Sequence, residues 1–159
     1  MHLPRYLGLQ HDASRTLADS FRRVGDGHAA EPDVNVLCHL LAGMSDRHVE
    51  RLGPLIGRYG ELQDPEPERL RAQGLAETRS GPVGLLRDLQ DLHTLAGFVD
   101  MTWTVLGQAA QGLRDRELLG TVTACQKDTS RQMLWLTTHI KQAAPQALIA
   151  AGAAGASTG

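Results

Sequence analysis

Apolar and small residues recur at alternating steps of three and four along four stretches of the chain, the spacing that lays one stripe along an α-helix. The third stretch is the most regular: Leu85, Leu89, Leu92, Ala96, Val99, Trp103, Leu106, Ala110 and Leu113. The first follows Leu3, Leu7, Gln10, Ser14, Leu17, Phe21, Val24 and His28, the second Val34, Cys38, Leu41, Ser45, His48, Leu52, Leu55 and Tyr59. The fourth shows Leu119, Val122, Gln126, Thr129, Met133, Leu136, Ile140 and Ala143. Four amphipathic helices are therefore expected, at about 4–28, 33–59, 82–114 and 115–143.

Punctuation supports those limits. Pro4 and Pro82 suit a first helical turn, Asp33 and Asp115 are expected N-caps, and Gly27 with Glu31-Pro32 marks the first turn. Pro54 is expected to kink the last turns of the second helix. The pattern fails over 60–81, where Asp64-Pro65-Glu66-Pro67-Glu68 opens at most one short helix through Leu70. Residues 1–145 read as a single domain and 146–159 as a flexible Ala/Gly-rich tail.

A simple up-down-up-down bundle needs loops of about 2 to 8 residues, which leaves the long connection at 60–81 unexplained. Two antiparallel hairpins joined by a crossover that spans the bundle would use it. That all-α order, over Pro4 to Pro145, resembles the ferritin-like superfamily, by architecture alone. The resemblance implies a four-helix bundle, frequent oligomerisation and, in the di-iron members, a Glu on one helix and a Glu-x-x-His on the other helix of each hairpin. This chain departs from that motif: Gly8, Gly25, Val36, Ser45, Gln90 and Leu136 stand three residues before His11, His28, His39, His48, His93 and His139. A ferroxidase site of the usual kind is not expected, and no histidine has a ligand partner four residues on: His11 is followed at that step by Arg15, His39 by Gly43, His48 by Leu52 and His93 by Gly97.

A metal site would have to be assembled across helices. Residues equidistant from a hairpin turn share a level, which pairs His11 with His48 and His93 with His139. A crossover sends the two pairs to opposite ends; an up-down-up-down order brings all four histidines to one level, where iron, zinc or manganese could bind. His28 is expected to interact with the end of its own helix. The polar middle of the fourth helix, Cys125, Gln126, Thr129 and Gln132, together with Ser45 and Asp100, reads either as a hydrogen-bond network fixing helix register or as the surroundings of a ligand. The remaining carboxylates, including Asp46, Asp88 and Asp128, read as a solvated face. Trp103 and Trp135 are expected to anchor the core, and Cys38 and Cys125 to be small buried hydrophobes.

Charge narrows the partners. A net charge of -2 over 159 residues, without a basic block, argues against nucleic acid. No stretch approaches the roughly 20 apolar residues of a membrane span, and Met1-His2-Leu3-Pro4-Arg5-Tyr6 does not open a signal peptide, so a soluble cytoplasmic protein is expected. Gly43, Gly97, Gly107 and Gly120, with Ala109 and Ala110, form small helix faces suited to packing inside the monomer or to a homo-oligomer contact. The function expected is a non-catalytic interaction or scaffold protein with a degenerate metal site, with no cofactor and an unidentified protein partner. The alternative is metal binding through His11, His48, His93 and His139.

Overall fold

The computed structural model describes residues 1–60 and 72–150. Among the described residues four helices make up the fold: α1 (Leu3–Gly27), α2 (Pro32–Tyr59), α3 (Gly81–Leu113) and α4 (Arg116–Pro145), the last followed by a π-helical turn at Gln146–Ala150. No strand occurs among the described residues. Proline stands in the first turn of α1, α2 and α3, where its missing N–H would have no intrahelical partner anyway. Asp115 caps α4 by accepting from the Leu118 N–H at 3.0 Å.

Several boundaries differ from expectation. The N-cap of α2 is Glu31, with Pro32 as the first helical residue, so Asp33 sits inside the first turn, where its charge faces the positive end of the helix. Helix α2 runs through Pro54 and ends at Tyr59, as the pattern indicates, followed by Gly60, whose φ of 90° is a conformation that suits glycine. Helix α4 runs past 143 to Pro145 and continues into the π turn, with Ala147 buried, so residues 146–150 of the expected tail are helical. A proline cannot donate to the carbonyl four residues back, and a wider turn accommodates that loss. The short helix expected through Leu70, and residues 151–159, lie outside the described residues.

The stripes of α1 and α2 are buried as read, from Leu7 to Val24 and from Val34 to Leu55. The α4 stripe is rotated. Its fully buried positions are Leu118, Val122, Cys125, Thr129, Gln132 and Leu136, while Leu119, Gln126 and Met133 are only half-buried. The cause is that α4 contacts two helices: Met133 approaches Gly97 and Gln126 meets Thr104 on α3, while Gln132 reaches Leu41 and Ser45 on α2.

Helix directions follow from cross-contacts. Helices α1 and α2 pair as one hairpin, α3 and α4 as the other. Gln10 meets Val99 and His28 meets Asp88, so α1 runs antiparallel to α3. Ser45 meets Gln132 and Tyr59 meets Asp115, so α2 runs antiparallel to α4. It follows that α2 and α3 point the same way, with Tyr59 at one end of the bundle and Gly81 at the other. Residues 72–80 form a strap on α1 and α3: Arg23 donates to the Leu75 and Ala76 carbonyls at 2.7 and 2.9 Å, and the Leu75 N–H donates to Ser20 at 3.2 Å.

Candidate functional site

The three-four spacing that sends leucines inward also sends polar side chains inward wherever they occupy stripe positions. At mid-height these are Gln10 and Ser14 from α1, Ser45 and His48 from α2, and Thr129 and Gln132 from α4, all buried. Their bonds are specific. Gln132 Nε2 donates to the Leu41 carbonyl at 3.0 Å and to Ser45 Oγ at 2.9 Å. Gln10 Nε2 donates to the Val99 carbonyl at 2.9 Å. Trp103 Nε1 donates to Thr129 Oγ1 at 3.1 Å, and that hydroxyl donates onward to the Cys125 carbonyl at 3.1 Å. All four helices are thus tied together by amides, hydroxyls and one indole.

His48 lies among them, 1 % exposed, with Nε2 3.1 Å from Asp128 Oδ2. A carboxylate only accepts, so Nε2 carries the proton and Nδ1 presents a lone pair. The ring stands edge-on to Trp103, with centroids 5.7 Å apart. Burial holds its pKa below the ordinary histidine value, and the bond to Asp128 offsets part of that effect. The centre therefore contains a neutral imidazole. Burial also pushes the Cys38 thiol up to about 12 and the Cys125 thiol up to about 11, so neither is a ready thiolate.

The other three expected histidines are all half-buried. His11 is half-buried with Nδ1 3.4 Å from Asp12, and His93 is half-buried on α3. His139 stacks on Trp135, with ring centroids 4.3 Å apart. Among the described residues no three His, Cys, Asp or Glu side chains gather in a group that could hold a metal ion. Asp100 and Gln126 belong to the rim, not the core: both are half-buried, and Gln126 Nε2 bridges Thr104 Oγ1 at 2.9 Å and Asp100 Oδ1 at 3.3 Å.

A second polar cluster went unread in the sequence. His28 does not serve the end of its own helix through its side chain; Nε2 lies 2.7 Å from Asp88 Oδ2. Asp88 is 0 % exposed and also accepts from the Arg79 N–H at 2.9 Å and Arg79 Nη1 at 2.7 Å. Arg79 reaches Asp91 as well, at 2.8 Å, and both carboxylates hold its guanidinium pKa above the usual value. The cluster fastens the strap where α1 ends and α3 begins. A signal existed for both histidine-paired carboxylates, the fully buried Asp88 and the half-buried Asp128. Asp88 stands three residues after Leu85 and four before Leu92, inside the α3 stripe, and Asp128 stands four before Gln132.

Comparison of the chain with protein-family models, with curated proteins and with solved structures gave no match in any of the three. No helix among the described residues is long and apolar enough to cross a membrane.

Proposed function

We propose that the chain is a ferritin-like bundle, in hairpin, crossover, hairpin order, that acts as a non-catalytic interaction or scaffold protein. The observation that carries this reading is the chemistry of the mid-level: amides and hydroxyls occupy the interior, and the nearby carboxylates are committed to structural pairs. Asp128 is engaged by His48, and Asp100 by Gln126. A di-metal centre of the ferritin-like kind uses several inward carboxylates, because hard cations need anionic oxygen ligands. The parallel sense of α2 and α3 supports the crossover. Large apolar side chains on outward faces support a partner surface: Val36 and Leu40 on α2, and Met101 and Val105 on α3, each pair one turn apart.

The alternative of a cross-helix histidine metal site draws on the Nδ1 atoms of His48 and His139, both buried without a hydrogen-bond partner among the described residues. Elemental analysis of the purified protein, with titration by iron, zinc and manganese, separates the readings. The scaffold reading expects substoichiometric metal and no thermal stabilisation by any of the three. Near-stoichiometric metal that is lost in His48→Ala or His93→Ala overturns it.

A further inference from the structure

Four polar atoms in the interior lack a hydrogen-bond partner among the described residues: Gln10 Oε1, Ser14 Oγ, His48 Nδ1 and Gln132 Oε1. A buried polar atom left unpaired loses its hydration without compensation, and four together would weigh heavily on a marginally stable fold. Reversing the amides does not relieve them. Gln132 Nε2 faces the Leu41 carbonyl and Gln10 Nε2 faces the Val99 carbonyl, and a carbonyl can only accept. The two amide oxygens are therefore acceptors where they stand, and Nδ1 of neutral His48 is a third.

The four residues occupy adjacent levels of one interior. Ser14 follows Gln10 by one turn of α1, and His48 follows Ser45, which Gln132 touches, by one turn of α2. Trp103, edge-on to His48, lies one turn beyond Val99, which Gln10 touches. Ser14, Ser45 and Ala96 supply small buried side chains here. Three acceptors and one hydroxyl select a compact hydrogen-bond donor. An anion finds only the Ser14 hydroxyl among these atoms as a donor.

We propose that the centre of the bundle is a hydration site, in which one or two bound water molecules bridge Gln10 Oε1, Ser14 Oγ, His48 Nδ1 and Gln132 Oε1. Buried waters typically make about three hydrogen bonds to such groups, and they are costly to remove. The inference does not depend on the scaffold reading.

A crystal structure of the full chain, with a second crystal soaked in a thallium salt, tests it directly. Expected is ordered density at about 2.7–3.2 Å from at least three of the four atoms, without an anomalous thallium peak. A thallium peak there overturns water in favour of a monovalent cation, and a dry centre with the four atoms paired to one another overturns the site. In solution, oxygen-17 relaxation dispersion should detect long-lived internal water in the wild type. That signal should fall in both Gln10→Met and Gln132→Met. Its absence from the wild type, which needs no variant to fold, or its full retention in both folded variants, overturns the assignment.

Discussion

Asp88 is the residue whose environment asks most of its neighbours: a fully buried carboxylate with His28 on one side and Arg79 on the other. Asp88→Ala leaves the His28 ring and the Arg79 N–H without their acceptor, and should destabilise the protein by about 3 kcal/mol in urea unfolding. In that background His28→Ala should cost less than it does alone, and limited proteolysis at 72–80 should accelerate, because the strap has lost its fastening. His48 acts through pH. Its folded pKa lies below its unfolded value, so its contribution is complete above about 6.5 and is lost as the pH falls toward the folded value. Wild-type stability should therefore drop between pH 7 and pH 5 more steeply than that of His48→Gln. The extra slope has an upper limit of about 1.4 kcal/mol per pH unit, and parallel profiles would remove His48 as the cause.

At the scale of the element, two backbone positions are poorly matched to their residues. Arg114 ends α3 in the left-handed region, at φ 55° and ψ 32°, where the Cβ of an L-residue crowds the following carbonyl. Arg114→Gly should raise stability by about 0.5–1 kcal/mol, read as an upward shift of the unfolding midpoint. Gly120 lies inside α4, and a Cβ added there meets nothing within 4 Å. Gly120→Ala should stabilise by about 1 kcal/mol through backbone entropy alone. Gly27 is the contrasting case, since its Cβ would press into Thr78 of the strap; Gly27→Ala should destabilise, and the pair of variants distinguishes glycine kept for packing from glycine without a packing role.

Across the whole molecule, the proposed crossover has a distance signature. Helix α2 holds 28 residues, about 42 Å at 1.5 Å per residue. Spin labels at the exposed positions Gly57 and Val83 should therefore read about 40 Å, whereas an up-down-up-down bundle would bring them within about 20 Å. The sequence by itself determined the number of helices, their limits to within a few residues and the inward faces of α1, α2 and most of α3, because burial of a helix face imposes a three-four period that survives in one dimension. It also marked Ser45, Thr129 and Gln132 as interior polar residues. It did not determine the rotation of α4 or the burial of Asp88, nor which histidine met which carboxylate. Those depend on helix directions and on contacts between residues 60 to 80 positions apart, as in His28 with Asp88 and His48 with Asp128. A periodic stripe fixes which way a side chain faces; only the assembled bundle decides what stands opposite it.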